Sequence, residues 1–179
     1  MALYFLALVP PPDLEEQIRG FKLEMKQLFG TTKALRLPAH ITLQIPFEME
    51  EDQEPFLEKE LETVAKEQPP FVVSLNGFDC FPPRVIFVKV EEHYSIAGLH
   101  KRISRAVREI VSITERKKAK PIHPHINIAS RDLKNSDFKM AWQDIKEREF
   151  QTEFLGDRFF LFRHDGRVWN IIHVFRLEG

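Results

Sequence analysis

One ten-residue stretch constrains the fold more than any other part of the chain: residues 121–130, PIHPHINIAS, in which polar and apolar residues alternate. Because strand side chains alternate between the two faces, His125 and Asn127 share one face while Ile126 and Ile128 share the other. The isoleucines would anchor the strand in a core and leave an imidazole and a carboxamide side by side opposite them. We therefore predict a strand whose polar face lines a groove.

The same arrangement occurs earlier, in residues 38–43, where His40 and Thr42 fall on one face. The two histidines of the matched pair, His40 and His125, are 85 residues apart (125 − 40). Two such strands facing each other would form a site with two imidazoles.

The predicted elements repeat in the same order around the two motifs. They are strand 3–9, a helix from Asp13 to Gly30, strand 40–45, helix 55–66, strands 71–78 and 85–90, helix 94–113, the second histidine strand, helix 135–147, and strands 150–155, 159–163 and 168–175. Asp13 is the expected N-cap of the first helix and Gly30 its stop. The predicted buried face of this helix consists of Leu14, Ile18, Phe21, Met25 and Leu28. We predict an α+β fold in which residues 1–179 form a single bilobal domain, a duplicated α/β unit with antiparallel sheets around a central cleft.

Composition excludes several classes of protein. The net charge of −1 argues against a protein that coats duplex nucleic acid, which needs a strong basic excess. Cys80 is the single cysteine, so no intrachain disulfide forms and a reducing compartment is expected. Residues 1–9 are apolar but too few to cross a bilayer, and they lack a basic leader. We expect a cytoplasmic protein with no membrane association.

Paired histidines with neighbouring donors suit phosphodiester cleavage. A neutral imidazole can take a proton from water while a protonated one gives a proton to the leaving oxygen, and histidine populates both forms near neutral pH. Thr42 and Asn127 would donate hydrogen bonds to the non-bridging oxygens. This chemistry requires no metal or other cofactor. His123 and His125 could be read as a metal-binding pair, but a third ligand is not evident.

The tetrads His40-Ile-Thr42-Leu43 and His125-Ile-Asn127-Ile128 resemble the two signature motifs of the 2H phosphoesterase superfamily, and most of all its bacterial 2′-5′ RNA ligase or RNA 2′,3′-cyclic phosphodiesterase group. The resemblance implies a bilobal α+β fold and hydrolysis of 2′,3′-cyclic phosphodiesters to a monoester. Some members also ligate RNA ends through 2′-5′ bonds. It assigns catalysis to His40 and His125 and phosphate binding to Thr42.

Asn127 departs from the family pattern, which usually has threonine or serine there. An amide NH₂ can still donate to phosphate, so we expect the change to tune the enzyme rather than silence it. Arg131 shares the strand parity of Asn127 and could contact substrate; alternatively it is a solvated arginine pairing with Asp132. The basic run 117–120 could contact an RNA backbone or simply be a solvated loop.

The expected partner is an RNA end or a small cyclic nucleotide as substrate, with no obligate protein partner. Two other functions stay open from the sequence. One is a module that binds a nucleotide phosphate without turnover, an option raised by Asn127. The other is a phosphodiesterase for a different cyclic ester, such as ADP-ribose 1″,2″-cyclic phosphate. The sequence does not determine which histidine is the acid and which the base.

Overall fold

In the residues that the computed structural model describes, 1–91, 93–111 and 122–179, eight strands form two antiparallel sheets of four. The strands are β1 (Ala2–Leu8), β2 (Ile41–Met49), β3 (Phe71–Phe81), β4 (Val85–Val90), β5 (His125–Ala129), β6 (Gln151–Gly156), β7 (Arg158–His164) and β8 (Trp169–Arg176). The first sheet has the order β2-β1-β7-β8 and the second β5-β4-β3-β6. The predicted α+β class, with duplicated halves and antiparallel sheets, is confirmed.

The helices follow the strands in the repeated order that the sequence predicts. They are α1 (Pro12–Phe29), α2 (Glu54–Lys66), α3 (Tyr94–Ile110) and α4 (Asn135–Ile145), and a short 3₁₀ helix, Lys33–Arg36, precedes β2. None of the helices in the described ranges is long and apolar enough to cross a membrane.

Of the two predicted ends of α1, the C-terminal one is confirmed and the N-terminal one is wrong. Gly30 stops the helix in the left-handed conformation, with φ of 71°, and its N–H bonds to the Lys26 carbonyl at 2.8 Å. Asp13 is not the N-cap, however, because the helix begins at Pro12 and the capping position falls on Pro11. A proline at the first helical position loses no hydrogen bond, which explains the earlier start.

The buried face of α1 contains one charged residue. Ile18 and Met25 are fully buried, and Lys22, one turn after Ile18, is only 2% exposed. Leu28, predicted to lie on this face, is 54% exposed, because Phe29 continues the buried stripe instead. A helical period of 3.6 residues allows either position, so the sequence pattern alone does not choose between them.

Strand β2 runs past Pro46, where the sequence predicted its end, and continues to Met49. The ladder with β1 is irregular opposite Phe5, so Ile45 and Pro46 have no regular partners. Because β2 is the outer strand of its sheet, a residue that lacks an N–H is tolerated there.

The two sheets share one buried cluster, and the helices cross between the halves. Helix α1 packs against β5, although it belongs to the half that contains β2, and α3 packs against β2. The histidine strands β2 and β5 also contact each other. These contacts bring the two predicted motifs together.

The remaining boundaries are close to the predictions. Strand β5 begins at His125, so His123 lies just before it, and the hairpin turn between β7 and β8 has Gly166 at φ of 95°. The predicted end of α3 at Ile113 and the basic run 117–120 lie outside the described residues.

Candidate active site

The His40 side chain is held in one tautomer by the chain just before it. His40 directly precedes β2 and is partly buried, and its Nδ1 lies 2.8 Å from the carbonyl oxygen of Pro38. A carbonyl only accepts, so Nδ1 carries the proton and Nε2 keeps its lone pair. The ring also packs against Phe5, with centroids 5.5 Å apart.

His125 repeats this arrangement in the second sheet. It is the first residue of β5, and its Nδ1 lies 2.6 Å from the carbonyl oxygen of His123, also two residues earlier. Phe81 and Phe87 flank the ring, at centroid distances of 5.2 Å and 5.0 Å. Both histidines therefore present an unprotonated Nε2, the atom needed to accept a proton.

The two imidazoles are close enough to affect each other electrostatically. Burial lowers the pKa of His40 to about 4, and the charges of Lys22 and His125 add to this, while the bond to Pro38 opposes it. Burial also lowers the pKa of His125, helped by the neighbouring charge of His123 and opposed by the bond to the His123 carbonyl. Both rings are therefore neutral at pH 7 in the free protein.

The predicted donors lie two residues beyond each histidine. Thr42 pairs with Ala7 across the first sheet, and Asn127 pairs with Phe87 across the second; both donor side chains are partly buried. The Oδ1 atom of Asn127 is buried without a hydrogen-bond partner. An uncompensated buried acceptor costs about 1–3 kcal/mol, so this amide is a weak point of the site.

Arg131 lies beyond the end of β5, in a turn, and its side chain is exposed. Strand alternation therefore does not fix the direction of this side chain, and its contact with substrate stays a prediction. The alternative partner, Asp132, accepts hydrogen bonds from the backbone amides of Thr32 and Lys33 at 2.6 Å and 2.9 Å. Asp132 thus links the turn after β5 to the loop before β2.

Two residues of α1 near His40 were missed by sequence reasoning. The Lys22 ammonium donates to the carbonyl of Leu37 at 3.1 Å, and the Glu15 carboxylate accepts from the backbone N–H of Ala39 at 3.2 Å. Burial lowers the pKa of Lys22 to about 8, against the raising effect of Glu15. A lysine on the apolar stripe of α1 is the sequence signal that could have revealed it.

Aromatic rings line both sides of the pair. In the first sheet Phe5 stacks on Phe162 at 4.4 Å and meets Trp169 edge-on at 4.7 Å. In the second, Phe81 packs on Phe87 at 4.5 Å and is 38% exposed. The exposed ring of Phe81 beside His125 suits a nucleobase, whereas Phe5 beside His40 is only 3% exposed and packs within the protein.

Within the described ranges no group of three or more histidine, cysteine or carboxylate side chains is arranged to hold a metal ion. His123 lies near His125, with ring centroids 6.2 Å apart, but it packs on Phe81 and His93.

Comparison with known proteins identifies a family. The model of the 2′-5′ RNA ligase superfamily matches residues 10–168. A protein of Geobacillus kaustophilus named "Putative phosphoesterase" is 28% identical over 183 aligned positions, covering 98% of this chain and 96% of the relative. A relative of the same printed name from Halalkalibacterium halodurans is 25% identical, covering 97% of this chain and 96% of its own.

Solved structures show the same fold. A protein of Thermus thermophilus superimposes with a TM-score of 0.75 at 23% identity, covering 100% of this chain and 99% of its own. Apo LigT of E. coli superimposes with a TM-score of 0.69 at 19% identity, covering 99% and 98%. LigT has also been solved in complex with 3′-AMP, with a TM-score of 0.69 at 19% identity and coverage of 99% of each chain.

Proposed function

Because the chain belongs to the 2′-5′ RNA ligase superfamily of 2H phosphoesterases, we propose that it is a metal-independent phosphodiesterase that hydrolyses the 2′,3′-cyclic phosphate of RNA ends or nucleotides to a monoester. The observation that carries this proposal is the matched pair of imidazoles. His40 and His125 each bond through Nδ1 to the carbonyl two residues earlier, which leaves Nε2 of each for proton transfer.

The reaction needs one proton acceptor and one proton donor. One neutral Nε2 takes a proton from water as the water oxygen bonds to phosphorus, and the other imidazole gives a proton to the ester oxygen whose bond to phosphorus breaks. Both rings of the free protein favour the neutral form, because burial lowers the pKa of each. The anionic diester between them would raise both pKa values and so recruit the proton that the acid needs.

Thr42 and Asn127 are the proposed donors to the non-bridging oxygens. The buried Oδ1 of Asn127 leaves the Nδ2 end of the amide as the donor to phosphate. A neutral hydrogen bond contributes about 0.5–1.5 kcal/mol, whereas each proton transfer contributes roughly 10²–10⁴-fold in rate. On these magnitudes an amide in place of a hydroxyl modifies the rate without abolishing it.

Two observations support the proposed substrate class: an aromatic ring beside the histidines and the ligands bound by a structural neighbour. The exposed ring of Phe81 beside His125 would stack on a base while the phosphate lies between the histidines. E. coli LigT, a structural neighbour, has been solved in complex with 3′-AMP and with phosphate. Both considerations support a nucleotide or an RNA end. Ligation through a 2′-5′ bond is the reverse reaction and would exchange the roles of acid and base.

A substrate panel tests the proposal. Purified protein in EDTA is incubated with 2′,3′-cyclic nucleotides, an RNA ending in a 2′,3′-cyclic phosphate, 3′,5′-cyclic AMP and ADP-ribose 1″,2″-cyclic phosphate, and monoester formation is measured. We expect turnover of the first two and none of 3′,5′-cyclic AMP. Loss of activity in EDTA, or turnover of ADP-ribose 1″,2″-cyclic phosphate alone, would overturn the proposal as stated.

A second candidate function, a binding module without turnover, is favoured by one observation. The buried Oδ1 of Asn127 has no hydrogen-bond partner, so the phosphate position beside it is less well prepared than beside Thr42. Calorimetry with a nucleoside monophosphate, together with the panel, separates the two functions. Binding with no turnover of any diester would favour the module.

A further inference from the structure

We propose that Glu15 and Lys22 of α1 are positioning residues for His40, and that Glu15 acts through the Pro38–Ala39 peptide group as its orienting carboxylate. This inference rests on the proposed catalytic role of His40. Neither α1 residue touches the imidazole through a hydrogen bond; each bonds to the three-residue segment 37–39, directly before His40.

A single peptide group connects the carboxylate to the imidazole. The carbonyl of Pro38 accepts from Nδ1 of His40 at 2.8 Å, and the N–H of the same peptide group, on Ala39, donates to Oε1 of Glu15 at 3.2 Å. The chain of groups therefore runs from carboxylate to amide N–H, from carbonyl to Nδ1–H, and ends at the free Nε2.

Hydrogen bonds in such a chain polarise one another. A carboxylate that accepts from an amide N–H draws electron density toward the carbonyl oxygen, so this oxygen becomes a better acceptor for Nδ1–H. The effect is that of the buried carboxylate in a serine–histidine–aspartate triad, which holds the imidazole in the correct tautomer and stabilises its protonated form. Here one peptide group lies between the two.

Lys22 fixes the other end of the segment. Its ammonium donates to the carbonyl of Leu37 at 3.1 Å, one peptide group before the carbonyl that holds His40. Its charge also helps to lower the pKa of His40, so it favours the neutral imidazole. The ammonium therefore both anchors the segment and acts on the electrostatics of the ring.

The burial of Lys22 is not explained by stability. Its side chain is 2% exposed and lies in a row otherwise occupied by apolar residues such as Ile18 and Met25. Lysines are almost never fully buried unless paired, because desolvation of the ammonium is costly. The hydrogen-bond acceptor for its ammonium is the neutral carbonyl of Leu37. A cation held at this cost beside a catalytic histidine points to a role in the site.

Two variants, each with a matched control, test the proposal. Glu15→Gln keeps an acceptor but removes the charge, and Lys22→Met keeps the length but removes the ammonium. The controls are Glu16→Gln and Lys26→Met, which change exposed residues of the same helix. Protein labelled with ¹⁵N-histidine reports the tautomer and the pKa of His40, and 2′,3′-cyclic CMP hydrolysis reports activity.

The two test variants are expected to act in opposite directions on the ring. Glu15→Gln should reduce the fraction of His40 that carries its proton on Nδ1 at pH 7 and lower kcat several-fold. Lys22→Met should raise the pKa of His40, since a nearby like charge is removed, and move the acid limb of the pH profile to higher pH. Neither control should change the ring signals or the rate.

Each result decides one question. If Glu15→Gln leaves the tautomer of His40 and kcat at wild-type values, the relay through the peptide group is wrong. If Lys22→Met leaves the pKa of His40 unchanged, its electrostatic role is wrong. The ring signals do not depend on turnover. A wild-type protein that hydrolyses no diester would therefore overturn the proposed function, while the tautomer and pKa measurements would still decide on the positioning residues.

Discussion

The two histidine strands are alike in backbone and different in surroundings. At both, the imidazole bonds through Nδ1 to the carbonyl two residues earlier, and a phenylalanine of the adjacent strand packs on the ring. Around His40 the neighbours are an ammonium and a carboxylate from α1, whereas around His125 they are Phe81 and His123. A duplicated backbone thus holds the two imidazoles in the same way, and unrelated side chains give them different surroundings.

Removal of either imidazole should produce the largest effect on activity. His40→Gln and His125→Gln should each reduce hydrolysis of 2′,3′-cyclic nucleotides by roughly 10²–10⁴-fold, because each removes one proton transfer. Steady-state rates at saturating substrate provide the measurement. His123→Gln, which changes the exposed neighbouring histidine, is the control and should stay within a few-fold of wild type. Equal rates for wild type and His125→Gln would falsify the two-imidazole mechanism.

The burial of His40 should make the folded protein less stable in acid. His40 has a pKa of about 4 in the folded protein, below its unfolded value of 6.5, so the unfolded chain binds more protons between these values. The neutral His40 therefore contributes at most about 3 kcal/mol to the free energy of unfolding. This contribution is complete above pH 6.5 and is lost as the pH falls to 4. Urea unfolding at several pH values measures it.

The matched variant for this measurement is His40→Gln, which should lose less stability than the wild type over the same range. A variant that loses as much would show that the acid sensitivity comes from other groups.

The burial of Lys22 should make the free energy of unfolding depend on pH in the alkaline range. Its pKa of about 8 lies below the usual 10.5, so the unfolded chain binds more protons between pH 8 and 10.5 and stability rises with pH there. The rise is at most about 3 kcal/mol. In Lys22→Met the slope should disappear, while stability at pH 7 changes little because the loss of the bond to Leu37 offsets the gain from removing a buried charge. A wild-type slope in this variant contradicts the burial of the ammonium.

The smallest expected effect concerns the donors. Asn127→Thr makes the second motif like the first and removes the buried, unpartnered Oδ1, which should raise the free energy of unfolding by about 1 kcal/mol. Activity should change by less than about ten-fold, since one neutral hydrogen bond replaces another. Urea midpoints and rates measure both effects, with Thr42→Ser as the control. A loss of stability would show that Asn127 is better accommodated than its contacts indicate.

The pairing of the motifs was predictable because its signal is local. Alternation around His40 and His125 sets the strand faces, and a repeated order of elements places both strands at equivalent positions. Only short-range rules of strand geometry were needed. A second short-range rule, that glycine ends helices in the left-handed conformation, placed the stop of α1 at Gly30 correctly.

The surroundings of the histidines were not predictable in the same way. Glu15 approaches Ala39 only because α1 packs beside the segment before β2, a long-range contact with no signature in either stretch. Strand parity does not fix the direction of the Arg131 side chain, because β5 ends two residues before it. Lys22 was missed because the apolar Phe21 filled the position between Ile18 and Met25 in the predicted stripe of α1, and only packing shows that Lys22 is buried there too.

Both histidine motifs lie on outer strands, β2 and β5, in the sheet orders of the described residues. An outer strand exposes unpaired amides and carbonyls, so it can recruit a strand from another molecule and start aggregation. In β2 the irregular ladder at Ile45 and the missing N–H of Pro46 make the strand a poor template for such pairing. The irregularity that carries β2 beyond its predicted end therefore also limits the pairing of this outer strand with a strand of another molecule.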